Sequence, residues 1–312
     1  MDQTKVKYLF LNDAFVAYED AKIHVLTPAV KYGATVYEGI RGYWVAEKGD
    51  IYLFRLDDHL KRLFQSMEMT WMKPPFSFEE FRRQTIDLIK KNEFHEDIHI
   101  RMMVFVLSDD GGMTSLGPVG AAIAALPMGR GSSKAETGLR CGVSSWRRIS
   151  DSSTPPRIKC AANYQNSRLA GIEAVNHGYD NVLILNESGK LSEGAGSNVF
   201  VVRKGIPLTP AVTNNILEGI TRDTIIRLFQ EKHGLKTEER DIDRTELYVA
   251  DEMFYCGSAM EVAPIISVDS HLIADGKIGP LTQAIKKTYV DAVRGLDPAY
   301  HKWGTPVYQN EA

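Results

Sequence analysis

The chain has only three cysteines in 312 residues, Cys141, Cys160 and Cys256, set far apart and without a C-x-x-C pair. An odd, scattered set excludes a disulfide framework and a zinc ribbon. No apolar run approaches the roughly 20 residues that a membrane span needs. The apolar stretch in MDQTKVKYLFLNDAF is too short and too interrupted for the central segment of a signal peptide. Neither charge sign dominates: 37 Lys and Arg stand against 40 Asp and Glu, for a net charge of −3. With no basic stripe to neutralise a phosphate backbone, a nucleic-acid partner is not expected. These absences leave a soluble protein of a reducing compartment, expected in the cytoplasm.

The apolar fraction of 44% and the charged fraction of 25% are those of an ordinary globular chain, and the length favours two domains. KYLFLND, AFVAYEDAKI and IYLFRL read as strands. LDDHLKRLFQSMEMT reads as a helix, because Leu60, Leu63, Phe64 and Met67 recur at helical spacing and Asp57 and Asp58 suit its positive end. FEEFRRQTIDLIKKNEF is a second amphipathic helix, followed by the strands IRMMVFVLS and AAIAALP. MGRGSSKAETG then breaks the pattern with glycine and serine. The expected division is a small domain over 1–127, a loop over 128–138 and a larger domain over 139–312. In the second half LRCGVSSW, NVLILN, SNVFVV and DEMFYCGSAMEVAPIISV supply strands, with a tight turn at Cys256–Met260. Helices are expected in NYQNSRLAGIEAVNH, stopped by Gly178, in EGITRDTIIRLFQEKHG, ending at Gly234, and in GPLTQAIKKTYVDAVRG, which closes the chain. Strands joined by short turns outnumber helices, so an α+β class is expected rather than a doubly wound parallel sheet.

Several residues carry chemistry together. Lys159 in RIKCAANY precedes a helix, with Tyr164 five residues on. SEGAGSN sets Glu193 beside glycines that let backbone approach closely. LEGITRD opens a helix whose first N–H groups, at Gly219, Ile220 and Thr221, make an anion site. GSAMEVAP offers Gly257, Ser258 and Ala259 at a turn. Singly, each has a plain reading: a surface lysine, a turn carboxylate, a helix start. Arg101 is different, since an unpaired guanidinium in an apolar strand is costly to bury. Tyr32 and Tyr37 read equally well as core aromatics, Cys160 as packing, and His177 as a helix-end partner.

Taken in order, K…NY, SEGAGSN, GITR and GSA at these spacings resemble the fold-type IV pyridoxal phosphate enzymes, and above all the branched-chain amino acid aminotransferases, over nearly the whole chain. The resemblance implies a small α/β domain and a larger one built around a β-barrel. It implies that Lys159 forms the imine with pyridoxal 5'-phosphate, that Glu193 faces the ring nitrogen and that Tyr164 holds the ring oxygen. Arg62, Ile220, Thr221 and Ser258 would bind the phosphate. VKYGATVYEGIRGY would line the substrate pocket with Tyr32, Tyr37 and Arg41. Arg101 would take the distal carboxylate of glutamate, and Ser258–Ala259 the α-carboxylate. The family is at least dimeric, so a homodimer or larger homo-oligomer is expected. The implied reaction passes the amino group of leucine, isoleucine or valine to 2-oxoglutarate.

The sequence also departs from the family pattern. His99 stands where a tyrosine is usual, Tyr37-Glu38-Gly39 replaces Phe-Glu-Gly, and Gly257-Ser258-Ala259 replaces Gly-Thr-Ala. LSDDGGMTSLGP, expected as a pocket loop, matches the family least well. His99 changes the size and pKa of a substrate-facing position, which keeps open a shifted specificity toward (R)-primary amines or D-amino acids. A fold-type IV lyase and a non-catalytic binder are further alternatives, and the intact Lys159 and Glu193 count against the last. Finally, His95-Glu96-Asp97-Ile98-His99 spells H-E-x-x-H, which binds zinc only on a helix. Here it enters a predicted strand, where the two histidines lie about 13 Å apart, so no metal is expected.

Overall fold

The structure, a computed structural model, describes residues 6–108, 112–129 and 134–309. The chain divides into two compact units: residues 1–130, 158–162 and 291–312 form one, and 131–157 with 163–290 form the other. Of the expected connecting loop 128–138, residues 130–133 lie outside the described residues, as do 109–111 of the expected pocket loop.

The first unit is a seven-stranded, wholly antiparallel sheet. Its strands are β1 (Tyr8–Leu11), β2 (Ala14–Ala17), β3 (Thr35–Val45), β4 (Asp50–Phe54), β5 (Ile98–Val106), β6 (Val119–Pro127) and a terminal strand, Gly304–Pro306. They run in the order terminal strand, β4, β3, β5, β6, β1, β2. Strand periodicity sorts the two faces. Val36 and Ile40 on β3 and Ile98, Ile100, Met102 and Val104 on β5 join one apolar cluster. The helices Leu56–Met69 and Phe78–Asn92 contribute Leu60, Leu63, Met67, Phe81, Leu88 and Ile89 to that same cluster. Tyr37, Gly39, Arg41, His99 and Arg101 therefore occupy the opposite face. A reciprocal Ser77–Glu80 capping box starts the second helix, satisfying N–H groups that the helix leaves open.

Neither β3 nor the terminal strand beyond the last helix is among the strands expected from the sequence. Both depend on long-range pairing. β3 sits between β4 and β5, in register with β5 from Thr35–Phe105 to Gly42–Ile98. The terminal strand is fixed by the fully buried Asp50, whose carboxylate accepts from the N–H groups of Val307, Tyr308 and Gln309 at 3.1, 2.7 and 3.1 Å.

The second unit is a nine-stranded mixed sheet. Its strands are β7 (Leu139–Arg147), β8 (Asn181–Leu185), β9 (Leu191–Gly194), β10 (Asn198–Arg203), β11 (Ile206–Thr209), β12 (Glu238–Glu239), β13 (Glu252–Gly257), β14 (Glu261–Val268) and β15 (His271–Leu272). The path is β12, β11, β10, β13, β14, β7, β8, β9, with β15 on β14. β9 ends that path, yet the short turn Ala195–Ser197 joins it to β10, near the other end. The sheet therefore curls into a partial barrel. The helices Tyr164–Asn176 and Ile220–His233 belong to this unit, and the helix Pro280–Val293 completes the long helices. Gly178 and Gly234, at φ +78° and +65°, close the first two, as glycine at a helix C-terminus does without strain. Among the described residues no helix is long and apolar enough to cross a membrane. The α+β expectation is borne out.

Candidate active site

In the first unit β3, whose Tyr37 lies on the sheet face away from the helices, meets the segment that carries Lys159. The Tyr37 N–H donates to the Lys159 carbonyl at 2.9 Å, and Cys160 forms a bridge with Val36. The Tyr37 ring, itself buried, has Lys159 Nζ 5.0 Å and the Arg101 guanidinium 5.3 Å from its centroid. The negative ring face thus attracts two cations. Arg101 is half-buried, and among the described residues no ion pair with a carboxylate is formed by it.

His99 neighbours that arginine along β5 and pairs across the sheet with Arg41. Burial first, then Arg101 and Arg41, push its pKa down to about 4. Its Nδ1 is buried without a hydrogen-bond partner among the described residues. The ring is neutral near pH 7 and adds no charge beside Arg101. Its stability contribution has a definite sign. The folded pKa lies below the unfolded value of about 6.5, so protons favour unfolding between that value and about 4. Replacing His99 by asparagine is expected to flatten the fall in stability over that window by on the order of 2 kcal/mol, measured by urea unfolding at pH 7 and pH 4.5.

On the helix side of the same sheet, Glu38 is fully buried. Its carboxylate takes a bidentate pair from Arg62, 2.7 and 2.8 Å, and a bond from His59 Nδ1 at 2.7 Å. Burial alone would raise the Glu38 pKa, but Arg62 and His59 outweigh it and hold the group well below the usual carboxylate range. The His59 pKa is itself lowered, mainly by burial. Its Nδ1 must carry a proton to donate to an anionic carboxylate. Arg62, expected at the cofactor phosphate, is thus braced by Glu38.

Two further expected pocket residues lie near this group on the same unit. Tyr32 is 43% exposed, with Lys31 over its ring. Arg41 is buried, and its Nη1 donates to the carbonyl of Met128 at 2.9 Å while both terminal nitrogens lie 3.4 Å from that of Gly129. His95 lies before β5, stacked on Tyr308, and His99 lies within β5, so the H-E-x-x-H match sits on no helix.

In the second unit Glu193 on β9 is buried and held by three donors. Arg148 Nη2 lies 2.8 Å from Oε1, while Asn198 Nδ2 and the Leu217 N–H reach Oε2 at 3.0 and 3.2 Å. Asn198 also donates to the Leu217 carbonyl at 2.9 Å. This ties Glu193 to the chain that leads into the helix opening at Ile220. Gly219, the cap residue of that helix, has a steric reason to be glycine: a Cβ there would sit 1.9 Å from Asn198 Oδ1. Ile220 and Thr221 are buried in the first turn. Tyr164 opens its own helix, Ser258 is half-buried in the turn between β13 and β14, and Ala259 beside it is exposed. Glu38, His59, Arg148 and Asn198 are not among the site residues marked out from the sequence. Glu38 carried a usable signal, a charge within an apolar alternating stretch, as Arg101 did; Arg148 carried none.

The first unit thus sets a lysine amine and a guanidinium on one tyrosine ring, and the second holds a buried carboxylate paired with an arginine and a glycine-led helix start. The amino-transferase class IV family model matches residues 35–268, and the chain belongs to that family. It is 39% identical over 303 residues to a probable branched-chain-amino-acid aminotransferase of Aquifex aeolicus, covering 96% of this chain and 97% of that one. It is 38% identical to the branched-chain-amino-acid aminotransferase of Escherichia coli, at 97% and 98% coverage. Among solved structures, the branched-chain aminotransferase of Thermobaculum terrenum in its PLP form is 42% identical with a TM-score of 0.90, covering 97% of this chain and 99% of that one. The E. coli enzyme gives a TM-score of 0.92 at 35% identity, covering 97% and 99%.

Proposed function

We propose that the protein is a pyridoxal phosphate-dependent transaminase that moves the amino group of leucine, isoleucine or valine to 2-oxoglutarate. The observation that carries this reading is the pair of cations on the Tyr37 ring, an amine at Lys159 and a guanidinium at Arg101, in a chain of this family. The donor set fits the cofactor: a primary amine, a buried carboxylate already supplied with counter-charge, and a helix start cleared of side chains by Gly219.

When bound, the cofactor supplies an aldehyde for an imine and a ring that accepts electrons. Lys159 would hold it covalently, and the lysine amine, once free, would remove the proton at substrate Cα as general base. Glu193 would accept a hydrogen bond from the protonated ring nitrogen, and Tyr164 would hold the ring oxygen. Arg62, Ile220, Thr221 and Ser258 hold the phosphate. Ser258 and Ala259 hold the α-carboxylate, and Arg101 the distal carboxylate of the acceptor. Tyr32, Tyr37 and His99 line the substrate pocket, while Arg41 acts through the main chain that it holds. The reading extends to a cytoplasmic homodimer or larger homo-oligomer, which the exposed apolar Val25, Leu26 and Val30 support. It also places residues 128–138 as the connection between the domains.

Arg101→Met tests the assignment of the acceptor. The KM for 2-oxoglutarate is expected to rise roughly 100-fold, the loss of a charge-assisted bond, while that for leucine moves less than about threefold. Equal changes in both would contradict it.

A further inference from the structure

We infer that Arg148 is a positioning residue for the reaction: it keeps the proton shared with Glu193 on the cofactor ring nitrogen. The inference rests on the proposed pairing of Glu193 with that nitrogen. Both partners are buried, with side-chain exposures of 5% and 6%, and the Nη2–Oε1 contact is 2.8 Å. A guanidinium carries a permanent positive charge in proteins. It is fixed from behind by Asn166 Oδ1 at 3.4 Å and Ser167 Oγ at 3.3 Å on the helix Tyr164–Asn176. The backbone N–H of Arg148 donates to Leu185 on β8 at 2.8 Å. The cation is therefore anchored to two elements other than β9, which carries Glu193.

The chemical consequence follows from charge. A permanent cation beside a buried carboxylate favours its anionic form, and Asn198 and the Leu217 N–H favour the same form from the second oxygen. A proton between Glu193 and a pyridine nitrogen then rests on the nitrogen. A protonated ring draws electrons from substrate Cα more strongly than a neutral one. Without the guanidinium, the proton moves from nitrogen to the carboxylate oxygen. No proton is gained or lost, but the ring becomes a poorer acceptor.

The test uses the holoenzyme loaded with cofactor carrying ¹⁵N in the ring. In the wild type the ring-nitrogen NMR signal is expected at the position of a protonated pyridine. In Arg148→Met it is expected to move most of the way to that of an unprotonated one, and Arg148→Lys is expected to restore it. A control, Asn166→Ala, removes one brace and leaves the signal where it was. A merely structural arginine would lower the melting temperature of Arg148→Met without moving the signal, and that result would overturn the inference. If Arg148→Met does not fold, Arg148→Lys and Arg148→Gln decide: an unshifted signal in Arg148→Gln overturns it equally. Failure of the wild type to bind the cofactor would instead refute the underlying assignment of Glu193.

Discussion

Replacing Lys159 by alanine is expected to abolish steady-state transamination, with a loss of at least about 10⁴-fold, since one side chain supplies both the covalent anchor and the general base. Lys159 lies on a short segment whose carbonyl accepts from Tyr37 and whose next residue bridges Val36, so its position is set by main chain and survives the truncation. The variant should remain folded, because the lost side chain is only half-buried and its absence leaves no buried charge without compensation. Added primary amines would return part of the proton transfer. A variant that kept more than about one per cent of wild-type turnover would show that another group removes the Cα proton.

Replacing Glu38 by glutamine is expected to cost about 3 kcal/mol of stability at pH 7, because it leaves the largely buried Arg62 and the buried His59 without their shared carboxylate. The pH dependence carries the stronger signature. The Glu38 pKa is lowered in the folded protein, so its stabilisation is complete above the unfolded value of about 4.3 and is lost as the pH falls below it toward the folded value. The wild type should lose on acidification what the variant already lacks, so the gap between the two stabilities should begin to narrow below about pH 4 and go on narrowing as the pH falls further. Urea unfolding of the cofactor-free proteins at pH 7, 5 and 3.5 measures this. A constant gap across the series would assign the effect to packing rather than charge. The same variant should bind pyridoxal phosphate more weakly, since Arg62 would lose the carboxylate that orients it.

The candidate site residues stand out in the sequence where their chemistry is local. Lys159, Glu193 and the Gly219–Thr221 helix start each sit in a short segment whose residue types and spacing carry a meaning. Local periodicity likewise located the helices Leu56–Met69 and Phe78–Asn92 and the strands β5 and β6. The failures share a physical cause. β3 alternates apolar residues with Glu38 and Arg41 and holds Gly39 and Gly42, a composition that reads poorly as a buried strand. Its identity comes from pairing with residues roughly 60 positions away and from partners, His59 and Arg62, on a helix. The terminal strand depends on Asp50, more than 250 residues earlier. Arg148 gains meaning only when β7 and β9 come to lie either side of β8. Gly39 shows the same limit: a side chain there would press on the His99 ring, with a Cβ 3.0 Å from Cε1, a constraint that no local pattern reveals.

The central claim, that Lys159 holds pyridoxal phosphate for amino transfer from branched-chain amino acids, is tested most directly by the absorbance spectrum of the purified protein with cofactor. A visible band should form on mixing, be lost on adding L-leucine and return with 2-oxoglutarate. No band from cofactor and wild-type protein, or a band that responds to (R)-1-phenylethylamine and not to L-leucine, would contradict it.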